Sequence, residues 1–124
     1  MVALAYTTKS ESKSISATAG GSSADVLYTC PAKHDATIDM LLITNGDNST
    51  SKVYLEFYHA DDTTYHKLVN GKSIAGNDTY SVLNGTLGMH LHAGDKIVVY
   101  GESGATFDAT ISVREFFNPN RITA

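Results

Sequence analysis

The sequence predicts an all-β protein: a single-domain antiparallel β-sandwich, jelly-roll-like in topology, with about eight strands and extended N- and C-terminal arms. Three observations lead there. Apolar and polar residues alternate over short runs, most cleanly in Lys52-Val-Tyr-Leu-Glu-Phe-Tyr-His59, which is the period of a half-buried strand. Gly20-Gly21, Asn45-Gly46, Asn70-Gly71, Asn84-Gly85 and Ala93-Gly94-Asp95 punctuate the chain and leave short strands at roughly even spacing, as in a sandwich or barrel. No segment keeps a helical apolar spacing over three turns. Thr, Ser, Asn, Gly and Tyr are plentiful, whereas Glu, Lys and Arg are sparse, a balance that favours strands and turns over helices.

Each element follows in order. Residues 1–10 read as an arm outside the core, 11–115 as the sandwich domain and 116–124 as a tail. Ser12 to Thr18 alternates weakly as a first strand. Val26 to Cys30 is a short apolar strand ended by Pro31, which cannot donate a ladder hydrogen bond. Thr37 to Thr44 is the most apolar strand, and Asn45-Gly46 leads out of it. In Lys52 to His59, Val53, Leu55, Phe57 and His59 share one face, and Lys52, Tyr54, Glu56 and Tyr58 the other. Thr64 to Val69, Thr79 to Leu83, Leu87 to His92 and Ile97 to Tyr100 follow, with turns expected at Asn70-Gly71 and Asn84-Gly85. The last long strand, Thr106 to about Phe116, turns Phe107, Ala109, Ile111 and Val113 inward and Asp108, Thr110, Ser112 and Arg114 outward.

Two strands are apolar on both faces: Met40-Leu41-Leu42-Ile43 and Ile97-Val98-Val99-Tyr100. A sandwich buries one face of each sheet, so the second face needs a cover. Three readings fit: a bent edge, the chain's own arms lying across it, or a subunit or partner contact. The last assigns Leu41, Ile43, Val98 and Tyr100 to self-association.

Length and charge bound the function. With 124 residues the chain holds one core. Its net charge is −4 and its nine basic residues are scattered, so the counterion release that drives nucleic-acid binding has no clustered source. Cys30 is the only cysteine, which excludes an intrachain disulfide and a thiolate metal cluster. No apolar run approaches the ~20 residues of a membrane span. Met1-Val-Ala-Leu-Ala-Tyr6 lacks the basic start of a signal peptide. No nucleic acid, membrane or cofactor is therefore expected.

Candidate chemistry is thin. His90-Leu91-His92 places two imidazoles on one strand face, good metal geometry, and invites comparison with a cupin. The glutamate and later histidine of that pattern are missing, and a third ligand would have to come from His34, His59 or His66. Packing histidines are the expectation, and no metal. Cys30, in an apolar strand before a proline, reads as an inert small hydrophobe. No serine sits in a Gly-x-Ser-x-Gly elbow, and Asp47, Asp61 and Asp62 occupy turns, where aspartate bonds its own backbone. Asn48-Ser-Thr50, Asn77-Asp-Thr79 and Asn84-Gly-Thr86 fit the glycosylation pattern but read as Asn/Thr-rich turns. Tyr54 and Tyr58, with Tyr65 and Tyr80, offer an aromatic patch suited to an interface or a glycan, or are ordinary strand residues. Phe116-Phe117-Asn118-Pro119-Asn120-Arg121-Ile122 is an unusually aromatic end for a chain. It suggests docking, on this domain's own surface or on a neighbour, through Phe116, Phe117, Pro119, Arg121 and Ile122.

Val26-Leu-Tyr-Thr-Cys-Pro-Ala-Lys, then Ala36-Thr-Ile-Asp-Met-Leu-Leu-Ile-Thr-Asn45 and Val53-Tyr-Leu-Glu-Phe-Tyr58, with Leu91-His-Ala-Gly94-Asp95-Lys-Ile97 after Leu83-Asn-Gly85, resemble small tailed-bacteriophage virion proteins of the capsid decoration (cement) type. The resemblance runs from residue 25 to about 115. It implies a β-sandwich with no catalytic residues, made in the host cytoplasm and carried on the capsid surface. The implied partners are the major capsid protein or another virion protein, together with further copies in a small homo-oligomer, a trimer being favoured. Related neck, tail and baseplate components are the nearest alternative; a glycan-binding module and a small cupin-like metalloprotein stand further off.

Overall fold

Eight strands and one short 3-10 turn follow one another along the chain: β1 (Tyr6–Ile15), η1 (Gly21–Ser23), β2 (Asp25–Thr29), β3 (His34–Asn45), β4 (Ser51–His59), β5 (Thr64–Ile74), β6 (Thr79–His92), β7 (Lys96–Gly101) and β8 (Phe107–Phe117). The computed structural model describes residues 6–118, with the backbone alone at residues 84–87. Two four-stranded sheets form, β1-β8-β3-β6 (sheet A) and β2-β7-β4-β5 (sheet B), and every pairing is antiparallel. Successive strands cross between the sheets except β4 and β5, which pair within sheet B, and this is the order of a jelly roll, as the sequence predicts.

Alternation decides which side chains meet between the sheets. Ile38, Leu41 and Ile43 of β3 and Phe107, Ala109, Ile111 and Val113 of β8 face Val53, Leu55, Ile97 and Val99 of sheet B. All are at most 1 % exposed. A buried pair ties the sheets near one end: the Tyr28 hydroxyl donates to Glu115 Oε2 at 2.5 Å.

Buried polar groups fix the turns. The Asp95 carboxylate accepts the N–H groups of Ala60 (2.9 Å) and His92 (2.8 Å), joining the β4–β5 and β6–β7 turns. At the opposite end Asn45, fully buried, donates to the carbonyls of Ser49 (2.8 Å) and Ile74 (2.9 Å). Here the turns after β3 and β5 touch: a Cβ on Gly76 would lie 2.2 Å from the Asn48 carbonyl oxygen, so only glycine fits.

Several expectations need correction. The first strand starts at Tyr6 rather than Ser12, so residues 6–10, assigned to the arm, lie in β1. Phe116 and Phe117, assigned to the tail, end β8. Asn70-Gly71 does not reverse the chain. Gly71, at φ +82°, is the extra residue of a bulge, since Val53 pairs with Lys72 and Tyr54 with Asn70. Asn84-Gly85 is likewise no hairpin turn. The two strands expected around it are one 14-residue β6, whose register on β3 jumps from Met40–Asn84 to Ile38–Met89. Arm residues 1–5 and Pro119, Arg121 and Ile122 lie outside the described residues.

Candidate functional site

The two-faced strands resolve differently. Leu41 and Ile43, expected on an outward self-association face, are 1 % and 0 % exposed inside the core. Their cross-strand neighbours on β8 are the core residues Ile111 and Ala109. The outward residues of this stretch are Met40 and Leu42, both half-buried.

Val98 and Tyr100 do face outward on β7, but the chain covers them itself. Residues 16–24, the connection from sheet A to sheet B, cross the outer face of sheet B as a strap. Gly21 donates its N–H to Glu56 Oε1 at 2.9 Å. The Asp25 carboxylate takes the N–H groups of Ser16 (2.7 Å) and Ala17 (2.8 Å), and Gly101 donates to the Ala17 carbonyl. A Cβ on Gly20 would lie 2.8 Å from Tyr100 Cε1 and 2.9 Å from Glu56 Oε2, so the strap lies flat only because its residues are small. Val98, the cross-strand neighbour of Glu56, is 1 % exposed. It is therefore closed to a partner while the strap is down.

The tyrosines gather around the strap. Tyr54 and Tyr100 stack with centroids 4.6 Å apart and planes 5° apart. Gly71 lies near Tyr54, since a Cβ there would be 3.3 Å from its Cε2, and Gly20 lies beside Tyr100. Tyr58 and Tyr65 form a second pair at 4.7 Å, and Lys96 Nζ lies 5.2 Å from the Tyr58 ring centroid. The stacked pair is occupied by neighbours within the fold, and a sugar needs an open ring face to stack on. Burial, with the nearby Glu56 charge next, raises the Tyr100 pKa above its ordinary value. Tyr80 is elsewhere: it packs against the core with Lys72 Nζ 5.2 Å from its ring centroid.

The histidines are dispersed into separate contacts. His90 Nδ1 meets Thr37 Oγ1 at 3.1 Å, and His92 Nδ1 meets Asp35 Oδ1 at 3.1 Å. His34 packs its ring 5.3 Å from that of Phe117. His59 and His66 flank Asp62 at the β4–β5 turn, at 3.7 and 3.3 Å. Burial opposes ionisation of that carboxyl, but the Thr64 N–H and the two imidazoles outweigh it and lower its pKa. Among the described residues no three His, Cys, Asp or Glu side chains are arranged to hold a metal ion. Cys30 is 1 % exposed, with its sulfur 3.5 Å from the His34 carbonyl oxygen.

The most exposed apolar residues collect at one corner. Tyr6 is 55 % exposed and Phe117 60 %. Tyr6 pairs with Phe116 across β1 and β8, ring centroids 5.5 Å apart. Arg114 lies 5.9 Å from the Tyr6 centroid and grips Asp39 through Nε (3.0 and 3.1 Å) and Nη2 (2.9 Å). Both ends of the described chain leave here. Phe116 and Phe117 were legible from the sequence as an aromatic end; Tyr6 was not, because β1 is polar on both faces and carries no periodicity. Glu56 was visible as a lone carboxylate among tyrosines on an alternating strand, but its place under the strap was not, because the small-residue run that becomes the strap lies far from it in the sequence.

No family model matches the chain, and no curated protein does. Among solved structures, a chain from "Bacillus endospore appendages form a novel family of disulfide-linked pili" is similar at 15 % identity and TM-score 0.53, covering 94 % of this chain and 92 % of that one. A chain from a structure of infectious bursal disease virus, Gx strain, aligns at 10 % identity and TM-score 0.49 over 95 % of this chain. A Gt-strain chain aligns at 11 % and 0.35 over 97 %. This chain spans 34 % of the length of each viral chain. The likeness to the pilus chain is one of fold.

Proposed function

We propose that the chain is a non-enzymatic structural subunit of a virion, of the capsid decoration type. It adds a closed jelly-roll domain to the outside of the shell and bridges major capsid protein subunits by buried contact. The observation that carries this is the aromatic corner. Tyr6 and Phe117 stand largely in water where both chain ends leave, and such aromatics contribute most to binding when a partner covers them. The phage virion resemblance from residue 25 to about 115 supports the same reading. So does the fold, since a similar domain serves as a pilus component. The covalent linkage named for that pilus does not carry over, because Cys30, the one cysteine of this sequence, is buried.

The contacts to the shell are assigned to the corner (Tyr6, Phe116, Phe117) and to Pro119, Arg121 and Ile122 beyond it. Phe116 and Phe117 belong to β8, so removing residues 119–124 tests the tail without shortening a strand. Capsids stripped of the chain are incubated with wild type, with the 119–124 truncation and with a Tyr6→Ser/Phe117→Ser variant, each checked by circular dichroism. Both changed forms stay folded and bind at about tenfold lower occupancy or less. Undiminished occupancy of both overturns the assignment.

A further inference from the structure

The outer faces of the sandwich carry opposite charge. On the outside of sheet B the exposed charged side chains of the strands are lysines. Lys52 shares the face of Tyr54, Lys96 lies against Tyr58, and Lys67 is 57 % exposed. The carboxylates there are engaged within the fold: Glu56, 7 % exposed, holds Gly21 N–H through Oε1 and pairs with Lys67 through Oε2 at 3.5 Å, and Glu102 accepts the N–H of Lys52 at 2.8 Å, which leaves Lys52 and Lys96 to set the charge of the face. On the outside of sheet A the described carboxylates are Asp35, which meets His92 Nδ1 at 3.1 Å, Asp108, which accepts from Ser14 Oγ at 2.7 Å, and Asp39, which holds Arg114. The rest of that face is largely hydroxyl, as in the Ser12–Thr110 and Thr44–Thr79 pairs. In a chain of net charge −4, the lysine–tyrosine face is the exception.

Because the sheets are stacked, these two faces point away from one another. We infer that the lysine–tyrosine face of one copy docks on the aspartate–hydroxyl face of a second copy. The inference rests on the reading of the chain as an assembling subunit. A two-fold contact would set lysines against lysines or aspartates against aspartates, and like charges repel. A contact between opposite faces joins unlike charges, and the tyrosine hydroxyls meet a surface of serine and threonine partners. Because the two faces point in opposite directions, contacts of this heterologous kind continue head to tail as an open stack, a different assembly from the small closed oligomer expected from the sequence.

Light scattering on the full chain tests it. The pairs are exposed, so they are strong at low salt and largely screened at 1 M, where the Debye length is ~3 Å. Wild type exceeds monomer mass at low salt and approaches it at high salt. Lys52→Glu/Lys96→Glu and Asp35→Lys/Asp108→Lys, each shown to be folded by circular dichroism, associate about tenfold more weakly alone. Mixed in equal amounts they recover association, because the reversed faces now match. A wild type that stays monomeric at low salt overturns the proposal, as does a mixture of folded variants that fails to recover. Neither result touches the virion reading, which is scored separately by shell occupancy.

Discussion

Among single residues, Tyr28 and Glu115 carry the most chemistry. The phenol donates a 2.5 Å bond to the carboxylate between the sheets. Burial first, then the hydrogen bond to Glu115 and its charge, push the Tyr28 pKa far above its ordinary value of 10.0. A group whose folded-state pKa is raised adds stability that is present in full below its unfolded pKa and fades as pH climbs through the folded one. Wild type is therefore expected to lose stability above pH about 10, where the unfolded phenol ionises and the folded one does not. Tyr28→Phe leaves Glu115 short of a partner and lowers stability by about 1–3 kcal/mol at neutral pH. It also flattens the alkaline slope, and denaturant midpoints at neutral and alkaline pH measure both effects. An unchanged slope would mean that Tyr28 is not the titrating group. The sequence shows a tyrosine in a short apolar strand and a glutamate near a strand end; only the strand crossings bring them together.

Among elements, the strap holds most of the interest. Residues 16–24 lie across sheet B with small side chains, held at Glu56, Asp25 and Ala17. Glu56→Ala removes the acceptor of the Gly21 N–H and leaves Lys67 without its partner on β4. The expected result is a strap that exchanges its amide hydrogens at least about fivefold faster, corresponding to ~1 kcal/mol. The core amides of β3 and β8 keep their protection. Equal loosening of core and strap would show that Glu56 supports the whole sandwich. Element by element, the sequence is most legible where alternation is one-sided. β4 and β8 face as their residues predict, because polar outer and apolar inner positions leave one register. In β3, Met40 to Ile43 is apolar on both sides, so alternation alone does not tell which pair is inside. Pairing with β8 decides for Leu41 and Ile43. Asn-Gly tolerates the backbone of a bulge as well as that of a turn. At Gly71 and Gly85 a long partner strand keeps the chain running straight on. β1 carries no inward apolar series before Ile15 because it is an edge strand, where inward-pointing Lys9, Glu11 and Lys13 guard against stray pairing.

For the whole molecule, the fold follows from the spacing of strands and turns. The use of its surface is less legible, because it depends on which residues the crossings bring to one side. The tyrosines and lysines of sheet B come from β4, β5 and β7, and the hydroxyl–aspartate face from strands at opposite ends of the chain. The corner joins the first described residue to the last strand. Together these surfaces describe a domain with a closed core, an aromatic corner and two outer faces of unlike charge. The proposed virion role is tested most directly by quantitative mass spectrometry of virions purified from cultures that produce the chain. The account predicts the chain in a fixed ratio to the major shell protein, in copies enough to cover the shell. Virions that lack the chain, or hold it only in the few copies of a neck or tail part, would contradict it.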